Sequence, residues 1–422
     1  MLKKNMKWIV LGAIFILAIV NYADKIIVGI TVNPIMADLS LDYGQWGIVG
    51  SSFYWLFSIG GIIGAAYSDK IGTAKMLAIM ALIWTFAQSM SLFIMGLPLL
   101  LFSRILLGAG EGPFSAVAVS HLSKWFKPEQ RGLAISILNL GNNVGKSVTA
   151  PLIVILMTTF NWRIAFFFFG IVSFVWFLAW LWIGRQKPAE EIIETKTTVN
   201  EIAATVEKLS FKESLKLFLT AKFIFTTLAI FFGTSAIAFT LSFNPAYLMN
   251  IRGFSAETAA NIIAIGGLTG GLCAVLISLF SDKVFKKTKD FYLSRILFTS
   301  LCLILGGSSY IGYMYFQGTT LLIISMILIN AFMVAMFSLA PQIVNSLNPQ
   351  RRGLMYGTAM GIGSTAGIIA PLVYGYVLES FSNNLSGGFI TVVFGFAAGI
   401  IICGIMLLIF GRQKAGGDAV QV

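Results

Sequence analysis

Twelve apolar stretches recur along this chain, at about 8–31, 45–67, 74–94, 97–120, 132–158, 163–184, 221–246, 259–280, 294–315, 319–343, 353–378 and 387–411. Each is near the ~20 residues that a helix needs to cross the hydrocarbon core of a bilayer. Only 11% of the 422 residues are charged and 57% are hydrophobic, whereas a soluble globule carries about 25% charged residues. The expected fold class is therefore an all-α integral membrane protein with twelve transmembrane helices.

The basic residues orient those helices. Of 29 Lys and Arg, 24 fall in the N-terminus, in alternate loops or in the tail, all on one side of a twelve-helix path. The positive-inside rule makes that side cytoplasmic, which puts both termini there and leaves only Arg163 and Arg252 in the outer loops. The net charge of +12 does not indicate nucleic acid, because the cations are dispersed in short loops. A multi-pass protein of the cell (cytoplasmic or inner) membrane is expected. The basic and apolar start resembles a signal peptide, but no small-x-small cleavage site follows, so it reads as an uncleaved first helix. Cys273, Cys302 and Cys403 fall inside spans without CxxC or Cys/His spacing. They read as small packing residues, and no metal site is expected.

The chain also repeats. Pro128-Glu129-Gln130-Arg131-Gly132-Leu133 leads to Ala150-Pro151-Leu152, and Pro349-Gln350-Arg351-Arg352-Gly353-Leu354 leads to Ala370-Pro371-Leu372. Ser68-Asp69-Lys70 has a weaker echo in Ser281-Asp282-Lys283. The expected organisation is a six-helix bundle over 1–185, a cytoplasmic linker with an amphipathic helix over 186–219, a second, pseudo-symmetric six-helix bundle over 220–411, and a cytoplasmic tail over 412–422. Parallel repeats of this kind place a substrate site at their interface near the midplane, opened alternately by rocking. Glycine-rich faces, among them Gly60, Gly61 and Gly64, Gly141 and Gly145, and Gly357 and Gly361, suit close helix contacts.

Five ionisable side chains lie inside apolar runs: Asp24, Lys25, Arg104, Glu111 and Lys146. An ion in lipid costs at least ~2.5–3.5 kcal/mol, so each is a functional candidate. At about 1.5 Å per residue, Asp24 and Arg104 share a level roughly 10 Å below the outer surface, and Glu111 and Lys146 both sit near the midplane. The expectation is a two-level ladder, Asp24 with Arg104 and Glu111 with Lys146, leaving Lys25 available to a substrate carboxylate. Neutral groups able to hydrogen-bond a polar substrate are Tyr22, Tyr54, Asn142, Asn244, Tyr247, Asn330, Ser364 and Thr365. His121, the one histidine, reads as interfacial. No phosphate loop or Ser/His/Asp arrangement is found, so an enzyme is not expected.

The loop Ala65-Ala66-Tyr67-Ser68-Asp69-Lys70-Ile71-Gly72-Thr73-Ala74-Lys75 resembles the G-x-L-A-D-R-x-G-R-K signature of the major facilitator superfamily. That resemblance implies a conformational latch in which Asp69 acts with Lys75, Arg131 and Asp282. Asn21-Tyr22-Ala23-Asp24-Lys25 and Arg104-Ile105-Leu106-Leu107-Gly108-Ala109-Gly110-Glu111 resemble the N-Y-x-D-R and R-x-L-L-G-x-x-E motifs of one branch, the anion:cation symporters. The likeness implies that Asp24 and Glu111 are the proton-linked pair and that the first-helix cation clamps substrate. Lys25 replaces the usual arginine, which keeps the charge but loses a bidentate clamp. Lys146 stands where a neutral residue is expected. The expected function is import of a small organic anion, a sugar acid or hydroxy-monocarboxylate, by proton symport. The proton gradient is the driving force, no cofactor is needed, and the protein acts as a monomer in the bilayer. Anion exchange or sodium coupling are alternatives; drug efflux or a non-transporting receptor are remoter ones.

Overall fold

The computed structural model describes residues 2–187, 217–348 and 352–412, nearly all of them helical. The amphipathic linker helix expected within 186–219 lies outside the described residues over 188–216, as do 349–351 of the second repeat copy and the tail from 413 onward. In chain order the first half runs α1 (Leu2–Ile30), the short α2 (Val32–Asp38), α3 (Tyr43–Ile71), α4 (Thr73–Ser89), α5 (Leu97–Glu111), α6 (Phe114–Trp125), α7 (Pro128–Thr159) and α8 (Trp162–Ile183). The second half runs α9 (Ala221–Ser242), α10 (Ala256–Thr288), α11 (Leu297–Tyr315), α12 (Thr319–Leu347), α13 (Arg352–Ser364), α14 (Ala366–Ser380) and α15 (Leu385–Phe410).

Among the described residues, eleven helices are long and apolar enough to cross a membrane, one fewer than the apolar runs. The difference is the fourth run, 97–120, which is built as two helices, α5 and α6, separated by Gly112 and Pro113. Pro113 has no N–H to donate back along the helix, so the ladder stops there. The seventh run is interrupted similarly: α9 ends at Ser242, a single turn covers Asn244–Ala246, and a π-helical turn follows at Tyr247–Ile251.

Local chemistry sets the helix ends. Asp42 accepts from the Gln45 N–H at 2.6 Å while the Gln45 side chain accepts from the Asp42 N–H at 3.2 Å, a capping box that starts α3. Asn161 caps α8 through the Ile164 N–H at 3.0 Å. Gly72, at φ +92°, turns α3 directly into α4.

The described residues fall into two compact units, one within Met1–Asn200, Ile237–Leu268 and Gly367–Phe389, the other within Glu201–Ala236, Thr269–Ala366 and Ile390–Val422. In the first unit, Trp176 and Trp180 of α8 stack at 4.8 Å and donate to the carbonyls of Ala13 at 2.7 Å and Ala74 at 2.9 Å, tying α8 to α1 and α4. The ends of α1 and α3 remote from the N-terminus of α1 carry second-half segments of the same unit. Trp46 donates to the Ser242 carbonyl at 2.9 Å, Asn33 and Asn250 exchange hydrogen bonds at 2.8 and 3.0 Å, and the Tyr43 N–H donates to Glu379 at 3.2 Å.

Candidate functional site

Close backbone contact between α3 and α5 positions the buried charges. A methyl group at Gly108 would overlap the Phe53 carbonyl oxygen, and one at Gly112 the Phe57 carbonyl oxygen. Glycine at these steps lets the two helices touch along their backbones and turns the α5 face bearing Arg104 and Glu111 toward α1. Gly141 and Gly145 allow a close but looser approach of α7 to α1, the Phe15 and Ile19 carbonyl oxygens standing 3.0 and 2.8 Å from where a Cβ would be. The Gly357 and Gly361 stripe serves no such contact, since a methyl at either would meet nothing within 4 Å.

Glu111, the last residue of α5, has a fully buried side chain. Its Oε2 accepts from Asn21 Nδ2 at 2.7 Å and faces Lys25 Nζ at 3.0 Å. Lys25 in turn donates to Asn21 Oδ1, which closes a triangle of ammonium, amide and carboxylate. Asn21 and Lys25 are four residues apart and so share one face of α1. Lys25 is therefore not the free cation expected: it is engaged by Glu111. Depth along a straight helix gives the level of a residue but not the direction it faces, and Lys25 faces α5. The backbone of Lys146 lies in α7, but its side chain is outside the described residues, and with it the expected partnership with Glu111. Lys25 keeps 18% of its side chain exposed. Its ammonium stands 5.9 Å from the ring centres of both Tyr22 and Phe57, within cation–π reach.

Asp24 is completely buried. It shares a level with Arg104, as the depths require, but the guanidinium does not hold its carboxylate. Arg104 Nη1 donates to the Asp24 backbone carbonyl at 3.2 Å, and its guanidinium lies 5.1 Å from the Phe53 ring centre. The carboxylate oxygen Oδ1 accepts instead from the side-chain amide of Gln88, near the end of α4. The expected Asp24–Arg104 ion pair is thus replaced by an amide–carboxylate contact on one side and a carbonyl–guanidinium contact on the other. Among the described residues, Asp24 Oδ2, Glu111 Oε1 and Arg104 Nε have no hydrogen-bond partner. Each carboxyl therefore retains one oxygen able to take a proton without displacing a donor.

Asn21 and Gln88 belong to this site and were not among the predicted residues. Asn21 stands inside the motif that carries the family resemblance, and Gln88 is the one side-chain amide of a largely apolar helix, TAKMLAIMALIWTFAQS. Of the neutral candidates in the first unit, Tyr54 is half-buried with its ring edge-on to Phe53 at 5.1 Å, Asn142 is half-buried on α7, Asn244 is buried at the break after α9, and Tyr247 packs on Phe389 at 5.5 Å. In the second unit, Asn330 donates to the Met326 carbonyl at 2.8 Å, Ser364 ends α13, and Thr365 donates to the Ile362 carbonyl at 2.6 Å.

The signature residues Asp69 and Lys75 are exposed on either side of Gly72, and Arg131 Nε donates to the Phe126 carbonyl at 3.2 Å. Asp282 pairs at 2.6 Å with Arg295, which also donates to Ser281 at 2.8 Å. Arg295 is a largely buried partner that sequence reading missed. His121 is buried within the protein, with Nδ1 2.9 Å from Thr73 Oγ1 and Nε2 accepting from the Trp125 indole at 3.1 Å. No group of three or more His, Cys, Asp or Glu suited to a metal occurs among the described residues.

Residues 14–307 match the sequence profile of the Major Facilitator Superfamily. The chain belongs to that superfamily. It is 28% identical over 384 residues to a hexuronate transporter of Bacillus subtilis (strain 168), covering 89% of each chain. It is 28% identical over 412 residues to a probable galactarate/D-glucarate transporter, GarP, of Escherichia coli (strain K12), covering 90% of each. Its fold matches a solved bacterial homologue of the human lysosomal transporter Spinster, captured inward-facing and occupied, with a TM-score of 0.79 at 16% identity over 97% of each chain. A major facilitator fold accounts for the all-helical, multi-pass architecture. Its curated relatives are transporters, not enzymes.

Proposed function

We propose that this major facilitator imports a small organic anion, a sugar acid or hydroxy-monocarboxylate, together with protons. The Lys25–Asn21–Glu111 triangle carries the reading. While Glu111 is ionised it holds the ammonium, and an incoming carboxylate must compete for it. A proton on Glu111 removes the holding charge, and Lys25, already partly exposed, turns to the substrate. Departure of the anion lets Glu111 lose its proton and recapture Lys25. Anion and proton therefore load and leave together, which is the requirement for symport. Asp24, buried behind Gln88, is the second proton-linked carboxyl. Arg104 contributes by fixing the Asp24 backbone and by adding positive potential, rather than by direct substrate contact. The hexuronate and galactarate/glucarate carriers among the relatives support a hydroxylated anion as cargo.

In this reading both termini face the cytoplasm of the cell membrane, the protein works as a monomer, and the two repeat halves rock about the site. The test is uptake of radiolabelled D-glucuronate into proteoliposomes under an imposed pH gradient, inside alkaline. Saturable accumulation that acidifies the lumen and is lost in Lys25→Ala is expected. Accumulation driven by sodium and indifferent to pH, or none with any sugar acid, overturns it.

A further inference from the structure

The geometry points to Gln88 as the residue that keeps Asp24 able to exchange a proton: a positioning residue, through its neutral amide, for the second coupling carboxyl. This rests on the reading of Asp24 as proton-linked, and it adds an element that neither the signature motifs nor the charge ladder contains.

Asp24 is fully buried on α1, and the ordinary way to hold a buried carboxylate is an arginine or lysine on its oxygens. A cation there fixes the ionised form. Here the cations that could do so are directed elsewhere. Arg104 directs its Nη1 to the Asp24 backbone carbonyl and holds its guanidinium 5.1 Å from the Phe53 ring centre, while Lys25, the next residue of α1, is drawn to Glu111. The donor on the Asp24 carboxyl is the Gln88 side-chain amide, itself only 2% exposed, at Oδ1; Oδ2 has no partner among the described residues.

An amide is a two-faced partner. Its NH2 donates to a carboxylate, and after a half-turn about the terminal torsion its carbonyl accepts from a protonated carboxyl. Gln88 can therefore satisfy Asp24 in both states, where an arginine serves only one and an apolar residue neither. The surroundings set the charge balance in which this happens. Among the described residues they comprise Lys25 and Tyr22 on α1, Arg104 and Glu111 on α5, and Tyr54 on α3; the α7 cation Lys146 has its side chain outside the described residues. On α4 the other charged residue, Lys75, sits at the opposite end of the helix.

The test does not need the substrate. In full-length protein reconstituted in lipid, infrared difference spectroscopy follows the carboxylic-acid C=O stretch as pH is varied, and Asp24→Asn identifies the contribution of Asp24. Gln88→Leu removes the donor to the carboxylate. Because the amide serves the protonated acid as well, what is lost is the difference between a charge-assisted and a neutral hydrogen bond, and the midpoint of that band moves toward alkaline pH by about one unit. Gln88→Glu places a second carboxyl against Asp24, so the titration splits into two steps belonging to the pair. In the Asp24→Asn background Gln88→Leu leaves this region unchanged, and Gln88→Glu adds only the single titration of its own carboxyl. A Gln88→Leu midpoint equal to wild type, a shift that persists in Asp24→Asn, or an Asp24 band that never appears would each overturn the inference. A simple packing role for Gln88 lowers stability but leaves the midpoint in place. Failure of glucuronate uptake with the midpoint shift intact would refute the cargo assignment and not the role of Gln88.

Discussion

On the proposed mechanism, replacing Glu111 by Gln should strengthen anion binding at alkaline pH while abolishing proton-driven accumulation. Lys25 is 3.0 Å from Glu111 Oε2, with 18% of its own side chain exposed and none of Glu111's. A charge-assisted hydrogen bond in such surroundings contributes about 1.5–3 kcal/mol. That energy opposes substrate whenever Glu111 is ionised, because only the fraction of molecules with Lys25 released is competent to bind. At 1.36 kcal/mol per decade, the penalty amounts to about 10- to 100-fold in apparent affinity. Glutamine keeps an acceptor for Asn21 and a similar volume, so the site stays filled while the charge that holds Lys25 is gone. Equilibrium binding of tritiated D-glucuronate to purified protein, by scintillation proximity across pH, should show wild-type affinity weakening as pH rises. Glu111→Gln should remain about 10- to 100-fold tighter on the alkaline side and nearly flat with pH. Proteoliposomes carrying the variant should still exchange glucuronate but fail to concentrate it. A variant that folds, yet binds no more tightly than wild type at alkaline pH, refutes competition between Glu111 and the substrate for Lys25.

Packing makes a second prediction. Gly108→Ala forces a methyl into the Phe53 carbonyl and should destabilise the fold by about 1–3 kcal/mol, whereas Gly357→Ala, facing open space, should stay within about 0.5 kcal/mol; thermal melting in detergent followed by size-exclusion chromatography distinguishes the two. The Asp282–Arg295 pair makes a third. Losing a fully buried partner costs about 3–5 kcal/mol, but half of the Asp282 side chain is exposed, so Asp282→Asn should lower stability by no more than about 1 kcal/mol on the same assay.

How much of this was legible in the sequence depends on what each signal encodes. Hydropathy records length and composition, so the apolar runs located the helices, including both parts of the fourth span, but could not show that Gly112 and Pro113 divide it. Residue counting fixed the common level of Asp24 and Arg104, and they do meet. It could not supply the rotation of each helix about its own axis, which is why Lys25 was left free and the Arg104 contact was assigned to the wrong oxygen of Asp24. Rotation is set by backbone approaches such as Gly108 on Phe53, which depend on residues far apart in sequence. Charged residues in apolar runs stand out against their surroundings because their burial is costly. Amides such as Asn21 and Gln88 cost less and were overlooked for that reason, although they make two of the three polar contacts on the two carboxyls.

The division of the fourth span at Gly112–Pro113 has a mechanical meaning. Elsewhere along a membrane helix, a bend must stretch or break a backbone hydrogen bond that lipid cannot replace. At Pro113 there is no N–H, so the carbonyl four residues earlier, Ala109, has no helical donor to lose, and the span can flex at this one joint at little energetic expense. The upper rod carries Arg104 and Glu111; the lower rod carries His121 and Trp125, anchored to Thr73 beside the signature turn at Gly72. The joint thus lies two residues from the carboxylate that holds Lys25, between the charge site and the rod that reaches the signature turn.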